Sequence, residues 1–526
     1  PGPPTKTFRF RLHHRPQEEE WFAGTARLFN QVAAFYFDVL QAHPGILDLS
    51  DKDALSALER LTHATRGNPG PLLPLSEVAD SFPAMARRAA IHAALGSARS
   101  FQSNREGWRQ RKERAEEKAQ RKGQRCSFHE RPPVPPRRWN KGVVLYKGMY
   151  QALGDSAVLL KVWTGQAWGW ARFGLSGREV PPGWKVGSPQ VVRRGQGWGL
   201  HVPATKEGFV YPAKAERQLR ESSARLCAVD LNINDALAVC TVQEADGTVV
   251  ATRFIRGGEE LQGRRKRALG RVAVKRSQTG VIGSFQEDNA RLFRYIRDVD
   301  GDTAHRVSRR IVEFGQEHGA TIIVFEHLGH FRPQKGRYSK RGNEKRSYWL
   351  RGRIVHYTRY KAWEEGILTC RVSPRDTSRR CACCGELVAR HNAGEAPVGE
   401  APVGEAPVAY RPGAPLFTCP VCQKRGNADR NASINIGHRL LERYGLYEKP
   451  APQGAGVSCS QDAGNGDGPH SPPERHRARD GSGTARTAGG SAVQPPSRVP
   501  CFLRPPTSGG YAASTPGTAH AGAHKE

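Results

Sequence analysis

The sequence predicts an α+β protein of several domains: a small β-barrel carrying a helical insertion, a mixed αβ domain split by a cysteine-rich unit, and a disordered tail. Three observations carry this expectation. At 526 residues the chain exceeds what one hydrophobic core supports. Helical and strand-like periodicities fall in separate blocks before residue 220 and interleave after it. Two C-x₂-C pairs interrupt the second block, at Cys381/Cys384 and Cys419/Cys422.

The first strand is Lys6-Thr-Phe-Arg-Phe-Arg-Leu12, which alternates apolar and basic residues. Leu28, Val32, Phe35 and Val39 then recur at helical spacing, and helix is expected to continue from about residue 50 to 122. The charged run Arg109 to Lys122 fits a solvated face and nucleic-acid contact equally. Pro132-Pro133-Val-Pro135-Pro136 reads as a linker. Short strands follow at Val143–Lys147, Ala157–Trp163, Trp168–Phe173, Gln190–Arg194 and Trp198–Val202. Trp163, Trp168, Trp170, Trp184 and Trp198 cluster here, with a barrel core favoured over base-stacking platforms. The strand at 6–12 would otherwise have an unpaired edge, so it is expected to join this barrel across the insertion. The implied segments are residues 1–15 (first barrel strand), 16–130 (helical) and 131–220 (barrel).

The next block is the most legible. Leu226–Leu231, Ala236–Val242 and Val249–Ile255 predict a three-strand meander, followed by a basic helical region over 259–317. Strand Ile322–Glu326, a helix carrying Leu350, Ile354 and Tyr357, strand Ile367–Ser373 and a helix from Asn431 to about Tyr444 complete it. A meander followed by αβαβα is the order of an RNase H-like fold. The two parts would be residues 221–380 and 423–448, split by a unit at 381–422. In that fold the first and fourth strands present acids at neighbouring ends.

Asp230 closes the run Leu226-Cys-Ala-Val-Asp230, and Glu326 closes Thr321-Ile-Ile-Val-Phe-Glu326. A lone carboxylate at the end of a buried strand costs several kcal/mol unless it is paired or metal-bound. Asp429 lies in Asn427-Ala-Asp429-Arg-Asn431, which reads as a helix start. Acids converging from two strands and a helix form an oxygen-ligand site for two Mg²⁺ ions, suited to phosphodiester cleavage. The alternative for Asp230 is turn chemistry, since Asn232-Ile-Asn234-Asp235 follows it.

Two C-x₂-C turns brought together make a tetrahedral thiolate site for structural zinc. The spacing favours Cys381, Cys384, Cys419 and Cys422 over Cys383. Three copies of Gly-Glu-Ala-Pro-Val at 394–408 lengthen the intervening loop, which returns to ordinary zinc-ribbon length without them. Eleven cysteines, an odd count, argue for a reducing compartment over a disulfide framework. The formal net charge is +31, of which the stretch from residue 449 contributes only 8 Lys/Arg against 5 Asp/Glu. The basicity therefore belongs to the folded part and implies a polyanionic partner. Composition after residue 448 predicts disorder. Nothing resembles a signal peptide, and no apolar run approaches a membrane span.

Over roughly residues 5–447 the chain resembles the transposon-encoded TnpB nucleases and the compact type V CRISPR effectors (Cas12 group). Val324-Phe-Glu326, Ser373-Pro-Arg-Asp-Thr-Ser378, the four cysteines and Asp429-Arg-Asn431-Ala carry the likeness. One departure is Asp230-Leu-Asn-Ile-Asn234, where the family usually has a glycine-containing turn. The resemblance implies a RuvC-type nuclease domain with Asp230, Glu326 and Asp429 as catalytic Mg²⁺ ligands. It implies zinc on the cysteines of a target-nucleic-acid-binding ribbon, and wedge and recognition roles for the barrel and the helical insertion. It further implies a guide RNA, a target DNA found by pairing, a short flanking duplex motif and a prokaryotic cytoplasmic setting in antiviral or transposon biology. Arg337, Lys340, Arg341, Lys345, Arg346, Arg351 and Arg353 are the candidate phosphate contacts, with a solvated face as the alternative. Guided binding with little cleavage, and an unguided resolvase or transposase, are the other functions to weigh.

Overall fold

The computed structural model describes residues 2–154, 156–195, 197–221, 223–280, 288–329, 333–334, 336, 339–395 and 410–448. The expected disordered tail, and the repeat from residue 396, lie outside the described residues. The chain divides into two compact units, Pro1–Val210 and Tyr211–Glu526.

In the first unit β1 (Thr5–His13) leads into helices α1 (Pro16–Ala42), α2 (Asp51–Thr62) and α3 (Ala84–Arg121). Strands β2 (Val143–Val144), β3 (Tyr150–Gln151), β4 (Ala157–Trp163), β5 (Trp168–Gly177), β6 (Trp184–Val186), β7 (Gln190–Arg194) and β8 (Gly197–Lys206) follow. The period-2 pattern of β1 buries Phe8, Phe10 and Leu12 and turns Arg9 and Arg11 outward. It sits between β8 and β5, antiparallel to both, in the order β2-β7-β8-β1-β5-β4-β3, with β6 on β8.

This sheet is a curled half-barrel, where the sequence suggested a small barrel. Its terminal strands β2 and β3 have two residues each and do not pair with one another. The helices supply the missing wall. Phe22 of α1 lies 4.6 Å from Phe173 and 5.6 Å from Trp198, centroid to centroid. Thr25 accepts from the Trp163 backbone N–H at 2.8 Å. One apolar core thus runs from the sheet into α1, α2 and α3. Of the five clustered tryptophans Trp198 is buried, Trp163, Trp168 and Trp184 are half-buried, and Trp170 is exposed.

The expected continuous helix over 50–122 is broken between residues 63 and 83. Gly67, Pro69, Gly70, Pro71 and Pro74 account for the break, since proline removes helical donors and clashes with the preceding turn. Beyond Ala98, α3 has no buried residue. The short strands β3 and β6 give no periodic signal, and the expected strand at 143–147 shrinks to β2.

The second unit contains α4 (Ala215–Leu219), β9 (Arg225–Leu231), β10 (Ala236–Glu244), β11 (Val249–Arg256), α5 (Gly258–Thr279), α6 (Ala290–Glu317) and β12 (Ile322–Glu326). After these come α7 (Lys340–Tyr348), α8 (Arg351–Glu364), β13 (Leu368–Val372), β14 (Ala389–His391), β15 (Leu416–Thr418), β16 (Arg425–Asn427) and α9 (Ala428–Arg443). The main sheet runs β11-β10-β9-β12-β13, antiparallel through the meander and parallel at β9–β12 and β12–β13. Alternation along the two central strands sorts their side chains onto two faces. Cys227, Val229, Ile323 and Phe325 join the core under α6 and α8. Leu226, Ala228, Ile322 and Val324 pack against Ile436, Leu440 and Leu441 of α9. β14, β15 and β16 form a separate three-stranded sheet around the cysteines.

Phe22 joins α1 to the sheet and is 1% exposed. Phe22→Ala is expected to lower the stability of the first unit by about 3–5 kcal/mol, the cost of an aromatic-sized core cavity. Denaturant titration read by tryptophan fluorescence measures this, and a loss below about 1 kcal/mol would contradict the shared core.

Candidate active site and cysteine cluster

The strand alternation that buries Leu226 and Ala228 against α9 directs Asp230 to the same face. In the same way Glu326 follows Ile322 and Val324. Phe325 is in register with Val229 across the parallel pair, so the two acids close neighbouring strands side by side. The third acid comes from α9, whose N-cap Asn427 accepts from the backbone N–H groups of Asp429 and Arg430 at 3.0 and 2.9 Å. Helix therefore begins at Ala428, earlier than expected, and Asp429 sits in its first turn, where the helix dipole favours a carboxylate. Ser433 ties this helix to the sheet by donating to the Ala228 carbonyl at 2.9 Å.

Asp230 and Glu326 thus share the sheet face that α9, the helix of Asp429, covers, and the charges of Glu326 and Asp429 both act on Asp230. Burial, followed by the Glu326 and Asp429 charges, pushes the Asp230 carboxyl well above the ordinary range. Burial also raises Glu326, opposed by the Thr377 hydroxyl and the Arg439 charge. It raises Asp429, opposed by Arg390. Each acid has a side-chain hydrogen-bond donor: the Asn232 amide donates to Asp230 at 3.0 Å, the Thr377 hydroxyl donates to Glu326, and Arg390 Nη2 meets Asp429 Oδ1 at 2.7 Å. Arg390 also donates to the Ala414 carbonyl. These partners leave all three acids raised, so the pocket keeps an uncompensated preference for positive charge. Its all-oxygen donor set fits a hard divalent cation such as Mg²⁺.

The cysteine pairs converge more tightly. The Sγ atoms of Cys381, Cys384, Cys419 and Cys422 all lie within 4.8 Å of one another, alone among such groups in the described residues. Cys381–Cys422 and Cys384–Cys419 are 3.6 and 3.5 Å apart. A tetrahedral ion with metal–sulfur bonds of about 2.3 Å places its sulfurs about 3.8 Å apart, so the cluster is compatible with zinc. Cys383 is outside the group. Hydrogen bonding to Cys419 holds the Cys381 thiol at about 5, while burial pushes Cys384 up to about 11.

Of the basic residues named from the sequence, Arg337 and the side chains of Arg341 and Lys345 lie outside the description. Lys340 is exposed. Arg346 donates to the Gly342 carbonyl, Arg353 to the Arg297 carbonyl, and Arg351 lies over the Trp349 ring at 4.9 Å. A second basic surface lies in the region that the sequence marked only as basic helix. Arg264, Arg267, Arg271 and Arg291 line a groove of about 440 Å³ between α5 and α6, with Tyr295. The i, i+3, i+7 spacing of the first three was its sequence signal. Thr377 stands in the stretch Ser373–Ser378 already singled out, whereas Arg390 had no signal. Among the described residues no helix is long and apolar enough to cross a membrane.

Fold and site together define an α+β multidomain protein that joins a buried carboxylate cluster to a four-cysteine unit. A family model described as "Cas12f1-like, TNB domain" matches residues 352–436, and one described as "Aq_aa04 family" matches residues 6–164. The chain is 28% identical over 272 residues to a "TnpB-like protein aq_aa05" of Aquifex aeolicus, covering 50% of this chain and 79% of that protein. It is 31% identical over 134 residues to the "CRISPR-associated endodeoxyribonuclease Cas12f1" of Sulfoacidibacillus thermotolerans, covering 26% of each. Among solved structures, a Cas12f1–sgRNA–target DNA complex aligns over 82% of this chain and 98% of its own, at 14% identity and a TM-score of 0.31. CasPhi-2 (Cas12j) bound to crRNA aligns over 86% and 100%, at 11% identity and a TM-score of 0.43. These matches make the chain similar to the compact type V (Cas12 group) and TnpB-like effectors.

Because burial raises Asp230 above its unfolded value, the folded state binds the extra proton. Stability therefore falls as pH rises from about 4 through the raised value, and the full penalty holds above it. Asp230→Asn removes that penalty at about 1.4 kcal/mol per pKa unit relieved. In buffer free of divalent cations the variant is expected to melt higher at pH 8, by roughly 2–4 °C per kcal/mol. The gap should close towards pH 4. Thermal melts across pH test this, and a variant melting lower at pH 8 would refute the uncompensated-charge account.

Proposed function

We propose that the chain is an RNA-guided DNA endonuclease. It binds a guide RNA, reads a short flanking duplex motif and pairs the guide with target DNA. It cuts that DNA at one RuvC-like, RNase H-type site formed by Asp230, Glu326 and Asp429. The observation that carries this reading is that buried Asp230 and half-buried Glu326 end adjacent strands on the sheet face covered by α9, which brings buried Asp429, and that Asp230 feels the charge of both. In this assignment residues 221–380 and 423–448 form the nuclease domain, 381–422 the zinc ribbon, and 1–220 the guide-binding half-barrel with its helices.

Bound at the acids, two Mg²⁺ ions would activate water and stabilise the leaving 3′ oxygen. Asp230 and Glu326, fixed on adjacent parallel strands, set the spacing of the ligand oxygens. Asn232 and Thr377 each use one lone pair of those carboxylates and so orient the others inward. Asp429 enters from the helix dipole end, where its charge is favoured. Arg390 pairs with Asp429 in the protein alone and would place a positive charge beside the acids. That ion pair also favours the second reading, guided binding with little cleavage, because it engages one metal-binding acid. The four cysteines would hold a structural zinc that folds the ribbon.

Asp230→Ala, Glu326→Ala or Asp429→Ala is expected to abolish Mg²⁺-dependent cutting of a matched plasmid while guided DNA binding persists, since the acids act on the transition state. A single-acid variant cutting at the wild-type rate would sink the assignment. A wild-type protein that copurifies with a small RNA and binds matched DNA but never cuts would select the second reading.

Phosphate contacts are assigned to the stretch after Glu326 and to the α5–α6 groove. Replacing Arg267, Arg271 and Arg291 with glutamine is expected to weaken binding to all matched targets alike. It should flatten the log–log salt dependence by roughly 0.7–0.9 for each phosphate that is no longer neutralised. Discrimination against mismatches should hold, because pairing carries the sequence information. Filter binding across a salt series with an unaltered slope would remove the groove from the interface.

A further inference from the structure

Residues 374–384 run from the Glu326 carboxylate to the first cysteine pair, and α9 pins this segment at three places. Thr377 is 2% exposed, and its hydroxyl lies against both Glu326 and the Pro374 carbonyl, the latter at 3.1 Å. With one proton to give, it donates to the charged oxygen. The carbonyls of Thr377 and Arg380 both accept from the Asn435 amide, at 2.9 and 2.7 Å. Asn431, one turn earlier on α9, donates to the Arg380 carbonyl at 2.7 Å. Its Oδ1 accepts from the Ala382 backbone N–H at 2.9 Å, inside the turn between Cys381 and Cys384.

Asn431 and Asn435 are 4% and 2% exposed, so unmade bonds there would cost about 1–3 kcal/mol each. Their amides are instead spent on the backbone of a segment whose ends bear on a candidate cation ligand and on two metal-binding thiols. α9 also carries Asp429, two residues before Asn431. One rigid helix therefore fixes the third acid, the cysteine turn and the hydroxyl that orients the second acid.

We propose that Asn431, Asn435 and Thr377 are positioning residues forming a hydrogen-bonded strut between the cysteine turn and Glu326. Through it, metal on the cysteines and a divalent cation at the acids strengthen each other's binding. The proposal rests on the reading of both clusters as metal sites. Thiolate ligation fixes the Cys381–Cys384 turn and hence the Ala382 N–H. That bond sets Asn431 and the Arg380 carbonyl, which Asn435 shares with the Thr377 carbonyl. Thr377 in turn sets the rotamer of Glu326. Linkage makes the effect reciprocal: cation at the acids must slow loss of metal from the cysteines by the same coupling.

The test uses the full chain without nucleic acid, with Mn²⁺ as the probe ion. Mn²⁺ affinity is measured by paramagnetic resonance, and zinc release is followed with a chromogenic chelator. Thr377→Val is expected to weaken Mn²⁺ binding roughly 10–100-fold, the usual effect of losing an outer partner of a metal ligand. Its zinc content should stay unchanged. Thr377→Ser, which keeps the hydroxyl, should stay within about threefold of wild type. Removing zinc from wild type should weaken Mn²⁺ roughly tenfold. Mn²⁺ should slow zinc release in wild type but not in Thr377→Val. Should Thr377→Val fail to fold, the wild-type measurements in both directions still decide. Equal Mn²⁺ affinity with and without zinc, at a site that Glu326→Gln abolishes, would overturn the strut alone. Absence of any Mn²⁺ site sensitive to Glu326→Gln would overturn the metal-site reading and the strut with it.

Discussion

Like charges held together out of water are the constraint around which the unit Tyr211–Glu526 is organised. Burying Asp230 among Leu226, Ala228 and α9 removes hydration that no single neighbour restores. The surroundings answer with an amide, a hydroxyl and two guanidinium groups, from Asn232, Thr377, Arg390 and Arg439. All three carboxyls remain raised nonetheless. A fold selected for stability alone would fill these positions with apolar residues, because a carboxylate without full compensation opposes folding. The residual imbalance is what the proposed cation site would relieve.

That imbalance also accounts for the rigidity around it. Mutually repelling groups move apart unless their backbones are fixed. Here two come from the hydrogen-bonded centre of a sheet and one from a capped helix anchored through Ser433 and Thr241, 2.9 Å apart. The cysteine unit enters the chain between β13 and α9, between the second and third acids. Its folding therefore bears on where α9 begins. Asn427, the last residue of β16, is also the N-cap of that helix.

What the sequence made legible follows from how each signal arises. β9 and β12 are buried on both faces and read as unbroken apolar runs, so the acids ending them stood out. The cysteine pairs were legible because the C-x₂-C spacing is local in sequence. The open edge of the half-barrel was not, because closure depends on which side chains fill the gap, and α1 does so with Phe22. Arg390 was invisible because its pairing with Asp429 spans 39 residues and the cysteine unit. The charge of Arg351 or Arg353 likewise does not disclose that one covers a tryptophan and the other turns back to a carbonyl. The break at 63–83 was spelled out in proline and glycine and was overridden by the helical patterns on either side.

The parallel pairing of β9 with β12, completed by α9, has a consequence for biosynthesis. Asp230 leaves the ribosome roughly 200 residues before Asp429, about 10–40 s at ordinary elongation rates. During that interval the meander can form, since its contacts are local, but β9 gains its parallel neighbour only about halfway through and the helix that covers its acid only at the end. The nascent chain therefore carries a bare apolar strand edge and an incomplete acid set together. An amino-terminal fragment released early would be sticky and would lack Asp429, so premature termination would yield aggregates without the complete acid set.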